Sequence, residues 1–282
     1  MRVVALVAVC LCAGSAAAAP PYAWMADYDP AEGLGRRIAP PAGFERVEAA
    51  PGSFALWLRG LPLKKGNPPV RLFNGQEKRN QDAHFAVVDI DTGTKDLQQC
   101  ADSVIRLRAE YLWSAGRKAE IHFNFTSGDR IDFSRWLDGF TPVVKGSAVQ
   151  WARGAPREAT HATLRAYLDT VFAYAGTLSL SKEMRKAGPP ADMQPGDVFI
   201  QGGSPGHVVI VVDMAANPKS GRKVFMIAQG FMPAQDIHVL KDPASAAPSP
   251  WYDLEFGDSL KTPEWTFAAG DLKRWAAEGE RR

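Results

Sequence analysis

Cysteine is almost missing from this chain. There are three among 282 residues, and two of them, Cys10 and Cys12, fall in an apolar N-terminal stretch that reads as removable. The third, Cys100, is then a lone thiol with no disulfide partner, so it is either an inert core side chain or a nucleophile. The five histidines show no H-x-x-x-H spacing and there is no C-x-x-C. A zinc site of the usual ligand spacing is therefore not expected, and neither a metal nor a cofactor is assigned; a mixed set of Cys100, His207 and one carboxylate is the only metal alternative. Charge of one sign is lacking too: 33 basic against 31 acidic residues leave a net charge of +2. That argues against a nucleic-acid groove and against a polybasic membrane surface. Beyond the N-terminal stretch, no run approaches the roughly 20 apolar residues of a membrane span. Internal repeats and long low-complexity tracts are also missing.

The N-terminal stretch has the layout of an export signal. Arg2 supplies the positive charge, Val3 to Cys12 the apolar segment, and Ala13 to Ala19 the small residues of a cleavage site, with a cut after Ala18 fitting A-x-A at Ala16 and Ala18. The expected location is periplasmic or secreted, with no membrane span after cleavage. With 46% apolar residues and eight tryptophans, the remainder has ample material for a large core.

Residues 19–92 read as a β-rich N-terminal region, from short apolar or β-branched runs at Phe54 to Leu58, Val70 to Phe73 and His84 to Ile90. Residues 93–282 read as the α+β core. There Cys100, Val104, Leu107 and Tyr111 mark one helical stripe, and Asp96 with Gln99 suggests a capping box that starts the helix at Asp96. A strand at Ile121 to Phe125 precedes a loop-rich insertion at about 127–156. A second amphipathic helix carries Leu164, Tyr167, Leu168, Val171 and Phe172, and strands follow at Gly196 to Ile200, His207 to Asp213 and Lys223 to Ala228. Helices and strands are segregated, which gives α+β.

A thiol nucleophile must reach its thiolate form, and a helix N-terminus together with a nearby imidazolium lowers the pKa that opposes this. Cys100 near a helix start, facing His207 at the start of a Val/Ile strand, is the candidate pair. A third group should orient the imidazole. If the His207 and Lys223 strands form a hairpin, Asp213 lies opposite Lys223, Val211 opposite Phe225, Val209 opposite Ile227, and His207 opposite Gln229, so Gln229 is the first candidate, followed by Asp213 and Gln235. An oxyanion site would combine the Cys100 N–H with Gln98 or Gln99. Trp113 and Ser204, the latter in the turn Gly202 to Gly206, are candidate substrate contacts, and Trp136 and Trp251 are aromatic alternatives. His84 is an alternative base, while His122, His161 and His238 read as strand, helix-surface and strand positions.

The segments Pro195-Gly196-Asp197-Val198-Phe199-Ile200 and Gly206-His207-Val208-Val209-Ile210-Val211-Val212-Asp213 resemble the signature of NlpC-type and CHAP-type cell-wall hydrolases. The resemblance implies a papain-like core, with the nucleophile at Cys100 and the base at His207, acting as an amidase or endopeptidase on cell-wall peptide. Gln99 and Ala101-Asp102 depart from that pattern, since those enzymes often have Asp before the cysteine and Ser-Gly after it. Over its length the chain also resembles the uncharacterised domain-of-unknown-function family 4846, through Lys95-Asp96-Leu97-Gln98-Gln99-Cys100-Ala101-Asp102, Ile121-His122-Phe123-Asn124-Phe125, Gly202-Gly203-Ser204-Pro205-Gly206-His207 and Met232-Pro233-Ala234-Gln235-Asp236-Ile237-His238-Val239. The expected partner is a peptide or peptidoglycan-like substrate. An acyltransferase, or a non-catalytic envelope protein binding glycan or peptide, is the alternative.

Overall fold

The computed structural model describes residues 21–276, and the expected export signal, residues 1–18, lies outside them. The frame is a nine-stranded sheet whose pairings are all antiparallel, with helices on one face, so the fold is α+β. Seven strands run in the order His84–Val87, His238–Leu240, Lys223–Gln229, His207–Ala216, Val198–Gln201, Leu272–Arg274, Arg185–Lys186. Glu45–Arg46 pairs with the far end of the histidine strand, and Tyr252–Asp253 with the Lys223 strand.

The histidine strand is buried over all but its last residue, which is why it reads as nearly unbroken Val and Ile. Successive side chains enter two different cores. Val208, Ile210 and Val212 join Ala101, Val104 and Leu107 of the cysteine helix, Cys100–Ser114, in the larger core. Val209 and Val211 join Phe199, Phe225, Ile227 and Phe267 in the second core, on the opposite face. That second core is capped by the hairpin of Ser259–Lys261 with Thr266–Ala268.

Four local expectations are corrected. Phe54 to Leu58 is not a strand but the start of the helix Phe54–Arg59. Phe54, Trp57 and Leu58 stand at i, i+3 and i+4, and Ser53 caps the helix through Oγ to the Leu56 N–H at 3.2 Å. Val70 to Phe73 contributes only isolated bridges, Arg71 with Glu77 and Leu72 with Gln235. The segment 127–156 is not loop-rich: it holds a strand Arg130–Asp132, a helix Phe133–Leu137, and a hairpin of Phe140–Lys145 with Ala148–Arg153. Both strands of the N-terminal region, Glu45–Arg46 and His84–Val87, pair into the large sheet.

The fourth correction concerns register. The histidine strand runs three residues beyond Asp213, so Lys223 faces Ala216 and Phe225 faces Met214. A bulge near Met226 then removes one residue of the offset, and Val211 meets Ile227. What remains is an even slip of two. His207 and Gln229 therefore still share a face, as diagonal neighbours instead of direct partners.

Candidate active site

The cysteine helix starts at Cys100, four residues later than the Asp96 start expected from its capping box. The residues before it form a pinned turn. Asp96 Oδ1 accepts from Gln99 Nε2 at 3.0 Å and from the Ala234 N–H at 2.7 Å. Asp102, the third helical residue, closes the helix start by accepting the Gln99 N–H at 3.1 Å. Cys100 thus occupies the first helical position, among N–H groups with no partner inside the helix. It lines a cleft of about 370 Å³ together with Gln99, Asp102, Thr177, Ser204 and Met232.

Glycine brings the walls of this cleft together. A Cβ on Gly206 would lie 2.4 Å from Thr177 Oγ1 and 2.5 Å from the Gly203 carbonyl. At Gly230, which follows the Lys223 strand, it would lie 2.1 Å from Ser103 Oγ on the cysteine helix. Only the smallest residue lets loop and sheet approach the helix this closely.

His207 is 1% exposed and does not line the cleft. Its Nε2 lies 2.7 Å from Gln229 Oε1. The ring sits among Phe231, Trp265 and Phe267, with centroids 4.7, 5.3 and 5.9 Å away, on the face occupied by the second core. The cysteine helix lies on the other face. The two meet at the end of the strand, where the N–H of Val208, the residue after His207, is one of the groups that favour the thiolate of Cys100. Among the described hydrogen bonds, none joins the sulfur to the imidazole.

The electrostatics reverse the expectation of a depressed thiol pKa. Burial, followed by the carboxylate of Asp102, pushes Cys100 up to about 11, and the N–H groups of Ala101, Cys100 and Val208 offset only part of this. Burial also takes His207 down to about 4, against the opposing pull of Gln229 and Glu264 and with a further push from Lys78. Thiol and imidazole are therefore both neutral at pH 7. Asp102 is itself driven well above the ordinary carboxyl range by burial, and its Oδ1 is enclosed without a hydrogen-bond partner.

The other candidates fall into two groups. Gln99 and Ser204 line the cleft with Cys100. Gln98 is committed elsewhere: its Oε1 accepts from Arg106 Nη1 at 3.0 Å, in a buried network with Glu110. Trp113 is thirteen positions along the helix, about 20 Å from Cys100 at about 1.5 Å per residue, where Lys118 Nζ sits 3.7 Å over its ring. Trp136 packs on Arg157 and Tyr167, and Trp251 donates to the Ala39 carbonyl. Asp213 binds Arg46 at 2.6 Å and Arg59 at 2.9 Å, and Gln235 is buried with Nε2 unpartnered, so neither is bonded to His207. His84 lies beside the Pro68 carbonyl at 3.2 Å, His122 beside that of Glu120, and His161 against the buried Glu110. Among the described residues no group of three or more His, Cys, Asp or Glu could hold a metal ion.

Three residues behind His207 were not anticipated. Gln229 Nε2 donates to Glu264 Oε2 at 2.7 Å, Lys78 Nζ reaches the same oxygen at 2.5 Å, and His238 Nε2 lies 3.3 Å from Gln229 Nε2. Lys78 and Glu264 sit in polar loops with no local motif. Only the position of His238 carried a signal, because it pairs directly with Gln229 across adjacent strands.

No helix among the described residues is long and apolar enough to cross a membrane. No curated protein and no solved structure matches the chain. A family model does match, over residues 34–274, which spans the sheet, the cysteine helix and every residue of the site. The chain belongs to the domain-of-unknown-function family 4846.

Proposed function

We propose that this protein is an exported thiol hydrolase with a papain-like arrangement of Cys100, His207 and Gln229, acting on a peptide amide. The observation that carries the reading is the meeting of a helix-start cysteine, open to a cleft, with the peptide that follows a histidine oriented by a buried amide. Because burial keeps both partners neutral and the ring lies across the strand from the sulfur, the thiol proton reaches His207 through a water at the end of the strand, in step with attack and without a preformed thiolate. The Sγ–C bond forms as the thiol proton passes to His207. The C–N bond then breaks, the amine leaves with that proton, and water cleaves the thioester to release the acid and restore the thiol. The donors offered to the oxyanion are the Cys100 N–H and the second amide hydrogen of Gln99, whose first is given to Asp96, while Gln98 is held in the buried Arg106 network. Cell-wall peptide is the preferred substrate class, from the resemblance of the His207 segment and the export signal.

The buried imidazole and the raised thiol pKa favour one rival, a non-catalytic envelope protein that binds peptide or glycan in the same cleft. Mass spectrometry after incubation with short peptide thioesters separates the two readings. A covalent acyl adduct on Cys100, lost in Cys100→Ala and slowed in His207→Ala, is expected. Thioester binding with no adduct at any pH from 6 to 9 would overturn the hydrolase reading.

A further inference from the structure

The orientation of His207 is decided by a chain of hydrogen bonds whose directions can be assigned one by one. Nδ1 of His238 lies 2.9 Å from the Asp236 carbonyl oxygen, which can only accept, so Nδ1 carries the proton of this ring. Burial drives the pKa of His238 down to about 3, the ring is neutral, and its Nε2 is a bare acceptor. Gln229 Nε2 lies 3.3 Å from that acceptor and 2.7 Å from the Glu264 carboxylate. Both amide hydrogens of Gln229 are therefore taken. Turning the amide over would set its oxygen against a carboxylate and a bare ring nitrogen. Its Oε1 must then face His207 Nε2, as it does at 2.7 Å, and an acceptor there requires the proton on Nε2. The lone pair of the neutral ring is left on Nδ1. Lys78 Nζ, 2.5 Å from Glu264 Oε2 and 3.5 Å from His238 Nε2, supplies the counter-charge that allows a carboxylate in this place.

We propose that Glu264 and His238 are positioning residues which clamp the amide of Gln229 and so lock His207 in its Nε2–H form, with Nδ1 free to take a proton. The purpose of this lock rests on the hydrolase reading, but its geometry does not. Glu264 belongs to the turn between the two strands of the hairpin that caps the second core, and it meets Lys78, 186 residues away in sequence, only through the fold.

Long-range proton–nitrogen correlation spectra of the full chain at neutral pH test it directly, with His207 assigned by its loss in His207→Gln. The wild type should show a protonated Nε2 and an unprotonated Nδ1. Glu264→Leu should show a mixture of both forms, while Glu264→Gln, whose amide oxygen can still accept from Gln229, should keep the wild-type pattern. Gln229→Met, which removes the acceptor at similar volume, should also give the mixture and serves if Glu264→Leu does not fold. A protonated Nδ1 in the wild type, or an unchanged pattern in Glu264→Leu, would overturn the proposal. Where an acyl substrate is turned over, kcat/KM should fall about tenfold or more in Glu264→Leu and recover in Glu264→Gln. Locked tautomer with no turnover would leave the clamp standing and remove the hydrolase.

Discussion

Cys100 should alkylate far later in a pH titration than an ordinary thiol. With a pKa pushed up to about 11, chiefly by burial, its thiolate fraction at pH 7 is about one part in 10⁴. A free cysteine near pKa 8.5 has about 3% at the same pH, a difference of about 300-fold. The higher pKa makes each thiolate more nucleophilic, which returns roughly tenfold, so the net deficit is about 30-fold before access is considered. With iodoacetamide under pseudo-first-order conditions, the rate should climb about tenfold per pH unit from pH 7 to pH 10 without levelling. Asp102→Asn removes the carboxylate that ranks second among the causes, and the amide oxygen can still accept the Gln99 N–H. Its rate curve should move to lower pH while staying above that of a free thiol, because burial is untouched. A plateau between pH 6 and pH 8 in the wild type would refute the reasoning, since it would mean that the helix start and the imidazole outweigh burial.

Three further outcomes follow from the same structure. Acid should unfold the protein as His207 is forced to ionise: its folded pKa of about 4 lies below the unfolded value near 6.5, so its contribution is complete above pH 6.5 and is lost as pH falls toward 4. That loss amounts to about 3 kcal/mol, and urea midpoints should decline more steeply over this window than in His207→Gln. Asp213→Ala leaves Arg46 and Arg59 without their shared buried carboxylate and should cost about 3 kcal/mol in urea melts, with the alkylation profile of Cys100 unchanged. Gly206→Ala should cost more than about 2 kcal/mol in the same melts, because the new methyl meets Thr177 Oγ1 at 2.4 Å and the Gly203 and Gln201 carbonyls at 2.5 and 2.8 Å; wild-type stability would show that the loop yields freely.

Periodicity located the cysteine helix and the histidine strand because their buried sides are written in the local sequence, as Val104, Leu107 and the Val/Ile run after His207. It misplaced the helix start because Asp96 caps nothing helical: its carboxylate serves the Gln99 side chain and the Ala234 N–H, 138 residues away in sequence from the latter. The proximity of Gln229 to His207 was legible for a reason subtler than the register first drawn. A longer strand and a one-residue bulge left an even displacement, which keeps both side chains on one face. Phe54 to Leu58 was misread because a short apolar run bounded by turn residues suits either a strand or a single helical turn or two, and the Ser53 cap decided between them.

By itself, the sequence determined the α+β class, the helix and strand that carry Cys100 and His207, and membership of the domain-of-unknown-function family 4846. These depend on local pattern and composition, which survive without knowledge of what packs against what. Tertiary structure alone decided the protonation state of the pair, since desolvation comes from side chains brought in from the whole chain. It also decided the identity of the clamp behind His207, because Lys78, His238 and Glu264 become neighbours only when the sheet and its capping hairpin close on one another.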